Sequence, residues 1–132
     1  MSSFKTLRDI IIFKGGGTPS KAIGEYWNGE IPWATVKDFT STALKSTQDA
    51  ITEAGLKNSS ANLITRGHVI IPTRMALGKA AINVIDLAIN QDLRALIPKV
   101  PLDANYLLHA VLSLKEAIVR KGSGATVKGI TQ

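Results

Sequence analysis

Apolar residues along the chain gather in short runs, with turn-forming residues standing between them. Five runs rich in β-branched side chains recur: Asp9–Phe13, Ile31–Val36, His68–Pro72, Ala81–Ile85 and Leu93–Pro98. Each is bounded by Gly, Pro, Asn or Asp, the punctuation of short strands joined by turns. Pro32 cannot donate to a ladder, so the second run is expected at a sheet edge or beginning only after the proline. Gln48–Leu56 reads as a short helix, with Asp49 or Thr52 near its start and Gly55 close to its end.

One longer segment carries a helical period. From about Asn105 to Lys121, the residues Leu107, Val111, Leu114 and Ile118 recur at helical spacing, and Leu108 and Leu112 widen the stripe. His109, Ser113, Lys115, Glu116 and Arg120 fall away from it. Asp103 is placed to cap this helix, because its carboxylate accepts from free amides two or three residues on. Arg120 and Lys121 suit the negative end of the helix dipole, and Gly122 offers a left-handed stop. These elements predict an α+β domain: a twisted, mostly antiparallel sheet of short strands with a C-terminal helix packed on it. No repeat and no low-complexity segment interrupts the pattern.

Composition sharpens this picture. A chain of 132 residues fits one domain and is long enough to bury a core without staples. With no cysteine, neither a disulfide frame nor a thiolate metal site is available. The apolar run Ile10–Phe13 is too short for a signal-peptide core or a membrane span, so a cytoplasmic protein is the default expectation. Sixteen Lys and Arg against ten Asp and Glu give a net charge of +6 and a pI near 9.8. Such a surface suits a polyanion, since basic side chains release counterions from phosphates, although it can also serve solubility alone. The basic residues are spread from Lys5 to Lys128, so a DNA-binding face has to be assembled by the fold.

The stretch Gly15–Lys21, GGGTPSK, invites comparison with a phosphate-binding loop. That motif needs Gly directly before its Lys and Ser or Thr directly after. Here the Lys follows Ser20, and Pro19 removes a backbone donor. Gly78-Lys79 is followed by Ala80, and neither glycine run has the third spaced glycine of a dinucleotide fold. His68 and His109 stand without the spaced partners a zinc site requires. The aspartates are scattered, and no Gly-x-Ser-x-Gly elbow surrounds a serine. Nothing in this set argues for a self-contained enzyme.

What remains is a series of polar, glycine-rich loops joining apolar strands on a basic protein. Gly16–Phe39 reads GGTPSKAIGEYWNGEIPWATVKDF, and Ile51–Leu56 follows an Ile-Thr-x-x-Gly-Leu pattern. Further on come an Arg-x-x-x-Gly-Lys loop at Arg74–Lys79, an Asn-Gln pair leading to Ile-Pro at Asn90–Pro98, and a Gly-Ser-Gly-x-Thr loop before Gly-Ile-Thr. In this order, and over nearly the whole chain, these segments resemble the target recognition domain of type I restriction–modification specificity subunits.

The resemblance implies a non-catalytic domain that binds double-stranded DNA and reads one half of a bipartite site. It implies DNA methyltransferase (modification) subunits, and restriction subunits, as partners. S-adenosylmethionine, ATP and Mg2+ belong to those partners, with no cofactor on this chain and no membrane involved. The family continues into a Pro-rich stretch and a spacer helix where this sequence ends at Gln132. One recognition domain over residues 1–132, without spacer helix or second recognition domain, is therefore expected, and a homodimer if the chain works as a half-subunit.

Site residues follow from charge and loop position. Lys37, Arg74 and Lys79 are candidates for phosphate or base contacts, with Arg74 foremost because its planar fork binds guanine or phosphate bidentately. Lys21 and Arg94 join them on neighbouring segments. Gln91 either reads adenine or ties a loop to backbone. Ser123, Thr126 and Lys128 lie on a glycine loop able to close on the duplex. Trp27 and Trp33 are expected in the core rather than stacked on bases. Two other classes compete: a stand-alone or truncated decoy that occupies the modification enzyme without reading DNA, and a small nucleotide-using enzyme disfavoured by the failed loop spacing.

Overall fold

The computed structural model of the chain describes residues 9–74 and 79–120. All five predicted runs contain strands: β1 (Ile11–Lys14), β2 (Trp27–Ala34), β6 (Val69–Pro72), β7 (Ala81–Asn83) and β9 (Leu93–Pro98). Four more strands are too short to show alternation in the sequence: β3 (Ala43–Leu44), β4 (Asp49–Ile51), β5 (Asn62–Ile64) and β8 (Leu87–Ile89). Two helices, α1 (Glu53–Lys57) and α2 (Ala104–Arg120), and two 3-10 turns at Gly24–Tyr26 and Val36–Asp38 complete the described elements.

The α+β class is as expected, but the strands divide between two sheets, ordered β1-β9-β6-β7-β3 and β4-β2-β8-β5. Pairing is mostly antiparallel; β2 with β8 and β3 with β7 run parallel. Contrary to the expectation from Pro32, β2 is an interior strand. Its ladder to β8 begins only at Trp33, so the proline nitrogen takes no place in that ladder. The segment Gln48–Leu56 also differs from expectation. Its first half pairs with β2 as β4, because Ile51 is wholly buried among Trp33, Ala61 and Ala88. The helix starts only at Glu53, where the Thr52 hydroxyl accepts from the Gly55 amide at 3.1 Å, and Gly55 lies inside it.

Period-two alternation distributes the apolar residues among stacked layers. Val69 and Ile71 of β6 pack with Leu107, Leu108 and Val111 of α2, whereas Ile70 between them packs with Leu87, Ile89 and Leu93 in the core shared by the two sheets. On β2, Ala34 joins that shared core and Trp33 joins the layer beyond it. Among the described side chains of α2, Leu107, Leu108 and Val111 are buried as the period predicts, and Asp103 caps the helix, its carboxylate accepting from the Tyr106 amide at 2.9 Å. A helix of this length is marginal alone, and burial of each large apolar side chain contributes about 1.5–3 kcal/mol. Side chains from residue 115 onward, and with them the expected Gly122 stop, lie outside the described residues.

The glycine run is explained by close backbone approach. A Cβ on Gly16 would stand 2.0 Å from the Ile89 carbonyl oxygen, and one on Gly17 would stand 2.1 Å from Ser60 Oγ. The Gly17 amide donates to Ile89 O at 3.1 Å, and Trp33 Nε1 donates to Gly17 O at 3.0 Å. Asn62 Nδ2 reaches Gly15 O at 2.8 Å, and Trp27 Nε1 reaches Ser20 O at 3.0 Å. The two indoles meet edge to face with centroids 5.1 Å apart. A second internal tie is Asn83, fully buried on β7. Its amide nitrogen donates to the carbonyls of Ile64, Thr65 and Ile85 at 3.0–3.1 Å, while Oδ1 accepts from the His68 amide at 2.9 Å.

Two stability predictions follow from these ties. Gly16→Ala is expected to cost roughly 1–3 kcal/mol or more, since the obstructing atoms are backbone, whereas Gly24→Ala, with nothing within 4 Å of its Cβ, stays within about 0.5 kcal/mol. Urea midpoints of the two variants measure the contrast. At Asn83, substitution by Asp is expected to be at least as damaging as by Ala, each losing on the order of 3 kcal/mol, because a carboxylate faces three carbonyls with no proton to give. Finding the Asp variant near wild-type stability at neutral pH contradicts this account.

Candidate nucleic-acid interface

Strand direction brings several separate loops to one end of the two sheets. β1 and β6 both run antiparallel to β9, so both finish where β9 begins. β8 finishes there too, because only Asn90–Asp92 separates it from β9. β2 runs parallel to β8, and the Asn90 amide donates to Ala34 O at 3.1 Å, which brings the end of β2 alongside. β7, antiparallel to β6, starts at the same end. The loops after β1, β2, β6 and β8 therefore converge.

Those loops carry most of the candidate residues. Lys37 is exposed on the 3-10 turn after β2, its Nζ 3.5 Å from Asp49 Oδ2. Both side chains are more than a third exposed, so this pair contributes at most about 1 kcal/mol and yields readily to a stronger anion. Arg74 is exposed just after β6 and borders a concavity shared with Val36, Thr73 and Asp92. The Thr73 amide donates to Asp92 O at 2.8 Å, tying the Arg74 loop to the β8–β9 turn. Lys79 is exposed immediately before β7.

Gln91 and Arg94 are tied into the turns at this end. Gln91 is exposed, and its side-chain oxygen accepts from the Thr18 hydroxyl, so it ties the glycine loop to the β8–β9 turn through a side chain rather than backbone. Arg94 is half-buried, and its Nη1 donates to the carbonyls of Gln91 at 3.1 Å and Leu93 at 3.0 Å. Lys21 is exposed but stands apart: the carbonyl of Ser20 beside it is held by Trp27 at the opposite end of β2 from Lys37. Ser123, Thr126 and Lys128 lie outside the described residues. Trp33 is buried and Trp27 half-buried, with both indole N–H groups bound to carbonyls, in keeping with core roles.

The loop ends are held from within by polar residues that the sequence reading did not single out. The buried Asp38 carboxylate accepts from the Thr35 amide through Oδ2 and from the Gln48 amide through Oδ1, each at 2.9 Å. Thr35 and Asp38 have the spacing of a capping box, the one sequence signal that points to this tie. Asn90, also buried, accepts the Asp92 amide at 3.0 Å and shapes the β8–β9 turn. The Gly17 amide is committed to Ile89 O rather than held out to a phosphate. His68 Nδ1 lies 2.8 Å from Thr65 O, and His109 is exposed on α2. Among the described residues, no three His, Asp or Glu side chains are grouped to hold a metal ion, and no helix is long and apolar enough to cross a membrane.

Known proteins share this sequence and this fold. The family model of the type I restriction modification DNA specificity domain matches residues 2–132. The chain is similar to the specificity subunit of the Escherichia coli type I restriction enzyme EcoR124I/EcoR124II, 37% identical over 96% of this chain and 33% of that one. It is also similar to the MjaIX specificity subunit of Methanocaldococcus jannaschii, 35% identical over 80% of this chain and 25% of that one. Among solved structures, an HsdS subunit from Thermoanaerobacter tengcongensis superposes with a TM-score of 0.61 at 20% identity, over 84% of this chain and 27% of its own. A chain from a structure of the type I R-M system gives a TM-score of 0.63 at 20% identity, over 85% and 27%. The chain thus spans a quarter to a third of the length of these relatives, and within that span its sequence and its fold agree on one assignment. It belongs to the type I restriction modification DNA specificity domain family.

Proposed function

We propose that this domain reads the base sequence of one half of a bipartite DNA site, and so directs modification and restriction subunits to it. The observation that carries this reading is the convergence of Lys37, Arg74 and Lys79, from the loops after β2 and β6, at one end of a basic domain of this family. Cations on phosphates set register and supply affinity, while neighbouring polar side chains read base edges. Gln91 and Arg94 shape the rim of this surface through their internal bonds. Ser123, Thr126 and Lys128 are further candidate contacts from the composition of their segment alone, whereas Lys21 is not part of this surface. The domain itself does no chemistry: S-adenosylmethionine, ATP and Mg2+ are held by the partner subunits, in the cytoplasm.

Arg74→Ala with Lys79→Ala tests the surface directly. The double variant is expected to lower duplex affinity roughly 10- to 100-fold at moderate salt, and to reduce the slope of log affinity against log salt by about two. An unchanged affinity and slope removes both residues from the interface. Selection of bound sequences from a random duplex pool tests reading itself: enrichment of a short motif is expected, and a flat pool overturns sequence recognition by this domain.

A further inference from the structure

One polar excursion at the same end of the molecule, Thr40–Gln48, contains none of the candidate contact residues named so far. β3 within it starts beside the start of β7, with Ala43 opposite Ile82, and β4 after it starts at Asp49, opposite Trp33 near the end of β2. The excursion therefore borders the Val36–Asp38 turn at Lys37 and Asp38, while the Arg74 concavity meets the same turn at Val36. With that turn it encloses a hollow of about 300 Å³ whose lining includes Lys37, Thr40, Lys45, Ser46 and Gln48.

Its backbone and its side chains are treated differently. The buried Asp38 carboxylate grips the Gln48 amide at one end and the Thr35 amide at the other. Ser41 Oγ accepts from the Ala43 amide at 3.1 Å, and Thr47 Oγ1 donates to Asp49 O at 2.6 Å. By contrast, Thr40, Lys45, Ser46 and Gln48 are exposed, and their side chains make no hydrogen bond within the described residues. A fixed backbone presenting uncommitted polar tips is pre-organised for recognition, because little ordering remains to be done on binding. The side-chain oxygens of Gln91 and Asn90, the amides of the β8–β9 turn, are already engaged by the Thr18 hydroxyl and the Asp92 backbone amide.

We infer that Thr40–Gln48 is the specificity-determining loop of this domain, with Gln48 reading an adenine edge in the major groove, Lys45 on the flanking phosphate, and Asp38 as the positioning residue. A glutamine amide matches adenine N6 and N7 bidentately, whereas a glutamate in its place accepts from cytosine N4. The inference rests on the DNA reading proposed above. The test is motif selection from a random duplex pool with the unaltered chain, Gln48→Ala, Gln48→Glu and Asp38→Asn, followed by titration of the preferred duplex across salt.

The unaltered chain is expected to yield a motif containing adenine. Gln48→Ala flattens that position and binds the preferred duplex roughly 10- to 100-fold more weakly with the same salt slope. Gln48→Glu moves the preference there toward cytosine, a change that a merely structural role does not produce. Asp38→Asn blurs the same position while the salt slope persists; should it fail to fold, the Gln48 variants carry the test. An enriched motif that is identical in both Gln48 variants overturns the inference and leaves DNA reading standing. A flat pool for the unaltered chain overturns both.

Discussion

The passage of the Gly15–Gly17 backbone against β8 is the contact through which the two sheets of this domain are joined at their common end. The loop leaves β1 in the five-stranded sheet, and all three of its anchors belong to the four-stranded one: Ile89 O at the end of β8, the Trp33 indole on β2, and the Asn62 amide on β5. Room for that approach exists only because positions 16 and 17 lack a Cβ. The next residue extends the tie, since the Thr18 hydroxyl binds Gln91 on the turn that leads back into the first sheet. A stretch resembling a phosphate loop is thus a clamp between layers, with its central amide spent on the protein itself.

Polar groups divide the labour, with Asp38 and Asn90 at the common end and Asn83 at the far end of β7. Asn83, Asp38 and Asn90 are buried, and their side-chain hydrogen bonds go chiefly to backbone amides and carbonyls. A buried amide or carboxylate without partners costs several kilocalories, so each of these positions is over-determined and holds its loop in one shape. Lys37, Arg74 and Lys79 stand outside this frame on the exposed side of the loops. Shape is set from inside and charge is displayed outside, which allows the displayed residues to differ between relatives without disturbing the fold.

Much of the architecture was legible from local pattern. Strands β1, β2, β6, β7 and β9 and α2 with its Asp103 cap follow from runs of β-branched residues and from a helical stripe that burial then enforces. Strands β3, β5 and β8 show no pattern, because two or three residues without an apolar run around them display no period, and β4 lies in a segment whose pattern predicts helix although Ile51 is claimed by the sheet. Charge and loop position single out Lys37, Arg74 and Lys79, and the fold brings their loops to one end. The committed roles of Gln91 and Arg94, the separation of Lys21, and the grip of Asp38 on Gln48 were out of reach.

By itself, then, the sequence determined element types, the apolar faces, the basic character of the domain and the ordered loop segments that resemble the specificity family. Those properties depend on residues a few positions apart, whose spacing is written directly in the chain. Only the tertiary structure decided that the strands form two sheets, that β2 is interior, and which loops share an end. These depend on pairings such as Thr18 with Gln91 and Gly15 with Asn62, separated by 73 and 47 residues. Hydrogen bonds of that range leave no local period in the sequence, so their partners emerge only when the layers pack.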